Sequence, residues 1–300
     1  MHAWEAIQNS LIYIEEHLRD EIKIDTLSRT AALSPYYYQR LFCRLVRKPV
    51  SEYIRLRRLA KASEALLNKG KRILDVALEY QFSNHGNFTR AFREAYGITP
   101  DKYRNSGVIL NHFIMPDLSI SYNDCRNPDT YVSKDIVLEV SLRSLVEPLL
   151  FLGMEREIPV TEFTQGKDTG VATTGILWED FHKSKSEVPN LVPQGNEIGV
   201  LYLGDARPGY CYYLAGAQVY ESTTSSTYVP FTLPKGEYVI CGIEAESFED
   251  LVGSALYKAI TFMGHWLSKK KLRCDNLSVE MYYPSASDNY FMEIWMPIKE

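Results

Sequence analysis

Hydrophobic positions in the first third of the chain recur at helical spacing. Ile7, Leu11, Ile14 and Leu18 fall at i, i+4, i+7 and i+11, one face of a first helix. A short second helix follows, with Asp25 as its N-cap and Leu27 and Ala31 turned inward. Ser34-Pro35 then pairs a capping hydroxyl with proline at the first helical position, where a missing N–H costs nothing. In the helix it opens, Tyr38, Leu41, Phe42 and Leu45 face the core, so Tyr36, Gln39, Arg40, Arg44 and Arg47 point outward. A longer connecting helix over 51–69 carries Ile54, Leu59, Ser63 and Leu66 on one face and is stopped by Gly70.

The pattern then repeats. Ile24, Leu27 and Leu33 match Ile73, Val76 and Phe82 at an offset of 49. Ser34, Tyr38, Arg40 and Phe42 match Asn84, Phe88, Arg90 and Phe92 at an offset of 50. The second outward set is His85, Asn87, Arg90 and Arg93. Two short helices joined by a tight turn, the second exposing Gln and Arg, fit a helix-turn-helix that reads the major groove. A connecting helix of this length can set two such readers against adjacent turns of a duplex, about 34 Å apart.

Beyond a polar, irregular link over 108–130 the periodicity changes to short alternating runs. Strands are expected at 149–154, 197–203 and 210–219, with a helix over 176–185 carrying Leu177, Trp178 and Phe181. The order recurs with strands at 238–241, 278–283 and 290–298 and a helix over 248–267. That helix shows Phe248, Leu251, Ala255, Ala259, Phe262 and Trp266 on one face. The predicted fold is therefore multidomain. An all-α double helix-turn-helix DNA-binding domain (1–107) and the link precede an α+β domain of two strand-helix-strand-strand repeats (131–300).

Charge sharpens this division. The net charge of −5 over 300 residues hides 18 Lys/Arg against 12 Asp/Glu in 1–107, a net of +6, and a net of −11 in the rest. A basic half suits a polyanionic partner, because Lys and Arg displace counterions from phosphates. Arg bridges guanine O6 and N7 and Gln pairs with adenine, so Gln39, Arg40 and Arg90 are the candidate base readers. Arg44, Arg47 and Arg93 are placed on phosphates, with Tyr36, His85 and Asn87 completing the surface.

In the acidic half, Leu277, Val279 and Met281 alternate toward one face of a strand, Glu280 and Tyr282 toward the other. If the apolar set packs under the helices, Glu280 is aimed at the opposite, aromatic-rich side. A carboxylate ringed by Tyr or Trp attracts an organic cation through charge and cation–π contact. A lone strand glutamate more commonly faces solvent, and Glu293, sharing a face with Phe291 and Trp295, is the alternative carboxylate. Trp178, Tyr213, Trp266 and Trp295 are candidate pocket walls, or core.

No catalytic residue, metal set or cofactor is indicated. The chain has no phosphate-cradling glycine loop, nucleophile elbow or zinc-type histidine spacing. Glu5 interrupts the N-terminus, so no signal peptide is read, and no apolar run is long enough for a bilayer. Five scattered cysteines, Cys43, Cys125, Cys211, Cys241 and Cys274, are expected to be reduced in a cytoplasm.

Two segments carry a specific resemblance. Ile73-Leu-Asp-Val-Ala-Leu-Glu-Tyr-Gln-Phe-Ser and Phe88-Thr-Arg-Ala-Phe-Arg-Glu-Ala-Tyr-Gly-Ile-Thr-Pro-Asp-Lys-Tyr-Arg resemble the signature of AraC/XylS-type regulators, over about 4–104. The resemblance implies a monomeric unit placing two helices in successive major grooves of an asymmetric operator, with RNA polymerase as a partner. That family has glycine in both turns, where this chain has Ala32 and Gln81.

Leu233-Pro-Lys-Gly-Glu-Tyr-Val, His265-Trp-Leu, Val279-Glu-Met-Tyr, Glu293-Ile-Trp-Met-Pro-Ile and Tyr210-Cys-Tyr-Tyr-Leu-Ala-Gly-Ala are similar to a GyrI-like effector-binding domain, over about 144–299. This implies a cleft between the repeats for small, often cationic and aromatic molecules around a buried glutamate. The two in this order form the architecture of Rob-type regulators. Some GyrI-like domains hydrolyse reactive small molecules, so a hydrolase or a drug-sequestering module is the alternative for this half. Oligomeric state is left open.

Overall fold

The computed structural model describes residues 3–122, 129–133, 136–163, 169–221, 227–284 and 290–299. The chain divides into two units, Met1–Asn123 with Thr164–Ala172, and Asp124–Phe163 with Thr173–Glu300. Among the described residues no helix is long and apolar enough to cross a membrane.

The first unit holds seven principal helices among its described residues: α1 (Ala3–Glu16), α2 (Ile24–Thr30), α3 (Pro35–Val46), α4 (Val50–Leu66), α5 (Ile73–Glu79), α6 (His85–Tyr96) and α7 (Pro100–Ser106). The periodic positions Ile7, Leu11, Ile14, Leu18, Leu27, Tyr38, Phe42, Val76, Phe88 and Phe92 are all buried. Each large apolar side chain so enclosed contributes about 1.5–3 kcal/mol. Ser34 and Asn84 cap α3 and α6, their side chains accepting from the backbone N–H groups of Tyr37 and Asn87. Two boundaries differ from expectation. Lys23, not Asp25, precedes the first turn of α2, so Asp25 lies inside the helix. The connecting helix ends at Leu66, one turn before Gly70.

Ala32 and Gln81 both adopt left-handed backbone, with φ of 55° and 64°. At the first turn, Ala32 N–H bonds to Arg29 O and Leu33 N–H to Ser28 O; at the second, Gln81 bonds to Leu78 and Phe82 to Ala77 in the same way. This is the Schellman arrangement that glycine favours, built twice without glycine.

The first part of the expected link is not a free tether. Leu110, Phe113 and Leu118 are buried in the helical core. Arg57 Nη1 donates to Phe113 O at 2.6 Å, and Leu118 N–H donates to Gln8 Oε1 at 2.8 Å. Strand β1 (Leu110–Asn111) pairs with β5 (Gly170–Val171), and a short turn of helix, α8, spans Ser119–Tyr122. Residues 123–128 of the link lie outside the described residues.

The second unit is an antiparallel sheet of β2 (Thr130–Ser133), β3 (Ile136–Leu145), β4 (Leu149–Pro159), β6 (Glu197–Tyr202), β7 (Tyr210–Gln218), β8 (Val229–Leu233), β9 (Gly236–Ala245), β10 (Leu277–Tyr282) and β11 (Tyr290–Pro297). Their spatial order is β2-β3-β9-β11-β10-β6-β7-β4-β8. The expected repeats are present as β4, α9 (Thr173–Ser184), β6, β7 and as β9, α10 (Phe248–Asp250), α11 (Leu256–Lys270), β10, β11. A π-helical turn, Leu251–Ala255, joins α10 to α11 and leaves Phe248 exposed. Strands β2, β3 and β8 are additions to the repeats. Helix α9 packs across β4 and β7, and α11 across β9 and β3. The central pair β6–β10 thus runs between the two helices.

Candidate functional sites

On the helical unit, Tyr36, Gln39, Arg40, Arg44 and Arg47 of α3 and its C-terminus are all exposed, as are His85, Asn87, Arg90 and Arg93 of α6. Each helix opens at a capped N-terminus and buries the opposite face, which fixes these side chains outward. The two surfaces are organised differently. Arg40 lies over the Tyr36 ring at 5.7 Å, and Gln39 Nε2 donates to Pro35 O at 3.3 Å. On α6, Arg90 Nη2 donates to Asn87 Oδ1 at 3.3 Å, and Asn87 Nδ2 donates to Ser83 Oγ at 2.7 Å. Arg47 holds the left-handed position at the end of α3 (φ 62°), where α6 has Gly97 (φ 75°). Position 94, the counterpart of Arg44, is Glu94, which approaches Arg55 Nη1 at 3.5 Å.

In the sheet unit the structure brings together four of the seven expected effector residues. Glu280 on β10 pairs in register with Gly199 on β6. Tyr213 Oη donates to Glu280 Oε2 at 2.6 Å and Tyr282 Oη to the same oxygen at 2.9 Å. Trp178 Nε1, from α9, donates to Tyr213 Oη at 3.1 Å, and its ring meets Tyr282 edge-on at 5.4 Å. Among the described residues no donor reaches Oε1 and no cationic side chain pairs with this carboxylate. Glu280 is half-buried at the floor of this cluster, and its pKa is raised by burial, against the pull of the two tyrosine hydroxyls. Burial also raises Tyr213 and Tyr282, helped by the neighbouring Glu280, so both stay neutral donors.

Gly199 makes room for this arrangement. A Cβ there would stand 2.2 Å from Tyr213 Oη and 2.6 Å from Glu280 Oε2. Phe163, which no sequence signal marked, stacks on Tyr213 at 5.8 Å. Gly199 was legible in principle, since glycine inside a strand marks a close approach. At the rim, Glu197 binds His182 Nε2 at 3.1 Å and Lys185 Nζ at 2.5 Å.

The expected facing of Glu280 is reversed. Register places Glu280, Gly199 and Tyr213 on one face, together with Leu152, which packs with Leu177 and Phe181 of α9. Glu280 therefore points to the helix-bearing side, while Val279 and Met281 join the core on the other. Glu293 and Trp295 lie on that other face and do not meet Glu280. Glu293 is buried and held by Arg143 at 2.9 and 3.1 Å, by Trp295 Nε1 at 2.8 Å and by the Tyr283 hydroxyl. A carboxylate already neutralised by a fork of guanidinium bonds has no charge to spare for a ligand. Trp266 is buried on α11, its indole N–H on Asp129 Oδ1 at 2.8 Å, away from the cluster.

A family model described as a helix-turn-helix domain matches residues 27–106, and one described as an integron-associated effector binding protein matches 146–298. The transcriptional regulator Rob of Salmonella typhimurium is 36% identical over 280 residues, covering 93% of this chain and 90% of its own. The right origin-binding protein of Escherichia coli K12 is 27% identical over 301 residues, 98% of each chain. An HTH-type transcriptional regulator of Bacillus subtilis, YbfP, is 39% identical over 104 residues, and this match spans only 35% of that relative.

Proposed function

Because the chain belongs to the AraC-type helix-turn-helix regulators with a GyrI-like effector-binding domain, DNA-binding proteins that respond to small molecules, we propose that its effector is an organic cation seated against Glu280. The observation that carries this reading is the Glu280 carboxylate itself. It is desolvated, ringed by Trp178, Tyr213 and Tyr282, has no cationic partner among the described residues, and keeps Oε1 without a donor. Leaving a desolvated carboxylate without a counter-charge is costly in a resting fold. A ligand that supplies the charge recovers that cost, and aromatic walls add cation–π attraction.

On the DNA side, α3 and α6 enter successive major grooves, with Gln39, Arg40 and Arg90 on bases and Arg44, Arg47 and Arg93 on phosphates. Because the two helices present different side chains, the operator is asymmetric. Such a regulator acts in the cytoplasm and addresses RNA polymerase.

The test titrates the full chain with phenyltrimethylammonium and with tert-butylbenzene, its neutral isostere, following tryptophan fluorescence. Glu280→Gln should weaken the cation tenfold or more, about 1.4 kcal/mol, and leave the neutral molecule unchanged. Cation affinity should also rise with pH through the raised Glu280 pKa, since only the ionised carboxylate attracts it. Equal affinity of parent and Glu280→Gln for the cation rejects the reading. A hydrolytic role is separated by product analysis with a cationic ester such as benzoylcholine, whose acyl bond water can cleave: recovery unchanged supports a sensor.

A further inference from the structure

The turn that follows α1 is held by side chains from two other elements. A turn leaves its carbonyls without ladder partners, so their donors come from elsewhere. Here three successive carbonyls are taken. Arg58 Nε donates to Leu18 O at 2.9 Å, Gln81 Nε2 to Arg19 O at 2.5 Å and Arg58 Nη2 to Asp20 O at 2.6 Å. Arg58 stands on α4, and Gln81 in the turn between α5 and α6. The same turn also reaches outward: Arg19 Nη2 lies 3.1 Å from Glu79 Oε1 on α5, and its guanidinium covers the Tyr80 ring at 5.4 Å.

These ties join two bodies. Helix α1 packs on α2 and α3, the first reader, while α4 leads to the second reader, α5 and α6, through the non-helical stretch 67–72. One connecting helix fixes the distance between two bodies but leaves rotation about its end to other contacts. The turn after α1 supplies a second attachment. The two reader turns differ in this respect. At the left-handed position of the first stands Ala32, which has no polar side chain; at that of the second, Gln81 tolerates the same backbone and reaches Arg19 O.

We propose that Arg58 and Gln81 are positioning residues that set α6 against α3, and so fix the spacing between the two segments of the DNA site. This rests on the reading of α3 and α6 in successive major grooves given above, and adds to it what enforces the spacing. One inserted base pair moves the second segment about 3.4 Å along the duplex and about 35° around it. A braced pair of readers cannot follow that displacement, whereas a loosened pair can.

The full chain first selects its site from random duplexes, and Arg40→Ala and Arg90→Ala mark the segment that each helix reads. Fluorescence anisotropy then measures binding to the selected duplex and to a version with one base pair inserted between the segments. For the parent, the insertion should cost about tenfold or more, the loss of at least one base contact. Gln81→Gly, Gln81→Ala and Arg58→Met should each shrink that penalty about threefold or more, by weakening the native spacing more than the inserted one. Loss of the Arg58 charge lowers affinity for both duplexes by one factor, so the ratio still reports spacing. Gln81→Gly removes the tie without the loss of stability expected of Gln81→Ala, so equal loosening by both separates positioning from folding. A spacing penalty that only Gln81→Ala shrinks belongs to stability and overturns the proposal. A penalty unchanged in all three variants, with both segments still read, overturns the brace while the two-groove reading stands. A selected site of one segment, indifferent to Arg90→Ala, overturns the two-groove reading and the brace with it.

Discussion

The helical unit exposes its candidate contacts, whereas the sheet unit encloses its own. On α3 and α6 all nine candidate DNA contacts stand in solvent around a closed aromatic and aliphatic core. In the sheet unit the candidate contact is a carboxylate set among neutral hydroxyls and an indole. The difference has an energetic consequence. Exposed charges leave folding nearly indifferent to their removal, whereas an enclosed charge couples ligand, pH and stability to one another. The sheet unit contains its own control, because Glu293 is buried on the other face with Arg143 as counter-ion.

The largest expected effect breaks that control. Arg143→Met strands the Glu293 carboxylate and should cost about 2–4 kcal/mol. The range sits low because Arg143 is about half exposed and Trp295 and the Tyr283 hydroxyl remain as donors. Glu280→Gln should act in the opposite direction, raising stability at neutral pH, since no counter-ion is lost. Denaturant titration of both variants reads the two signs. Should Arg143→Met cost nothing, Arg143 does not compensate the Glu293 charge.

The helical unit also encloses one titratable base, which sharpens the contrast. His112 is held by Tyr96 Oη at 3.0 Å and by Ser63 Oγ at 3.4 Å. Burial, with Arg57 and Lys61 nearby, lowers its pKa from 6.5 to about 4. A base with a depressed folded pKa binds fewer protons folded than unfolded between those values. Stability is thus intact above about pH 6.5 and lost as pH falls toward 4, by at most about 3 kcal/mol. Glu280, with its pKa raised, has the opposite slope: folding loses stability as pH rises above the ordinary carboxylate value. Melting curves of the parent and His112→Gln from pH 7 to 4 should converge in acid, and parallel curves would remove His112 from the account.

On the exposed side, Arg40→Ala and Arg90→Ala should leave melting within about 0.5 kcal/mol. Each should cost about 1–3 kcal/mol of discrimination in a different half of one DNA site. Binding to selected and random duplexes separates base reading from phosphate contact, because equal losses on both would demote these arginines to positioning.

The helical unit was legible because its signal is local. The 3.6-residue period and the offset of 49–50 place each helix from neighbours within a few turns, and Ser34 and Asn84 mark where two of them start. The sheet unit was legible in its repeat but not in its facing. Alternation separates Glu280 from Val279, yet both faces of this sheet are buried, so hydrophobicity alone cannot tell which one carries the helices. Strand β3 was missed although Ile136, Leu138 and Val140 alternate inward, and β8 is short and carries Pro230. Arg143 meets Glu293 across 150 residues of sequence, a distance over which no spacing argument operates.

The smallest effect separates the two turns of the helical unit, which share a backbone but not a side-chain anchor. A non-glycine residue in left-handed backbone costs about 1 kcal/mol relative to glycine. At Ala32 nothing offsets that cost except the lower chain entropy of alanine in the unfolded state, so Ala32→Gly should raise stability by about 0.5–1 kcal/mol. Gln81 is different, because its Nε2 donates to Arg19 O at 2.5 Å and ties the second turn to the turn that follows α1. A hydrogen bond of this kind contributes about 1 kcal/mol, so Gln81→Gly should be near neutral and Gln81→Ala destabilising by about that amount. Thermal melts of the three variants resolve these differences, since 1 kcal/mol moves the midpoint of a domain this size by about 4 °C. Equal stabilisation by Ala32→Gly and Gln81→Gly would show that the Gln81 anchor contributes nothing, and that backbone strain alone governs both turns.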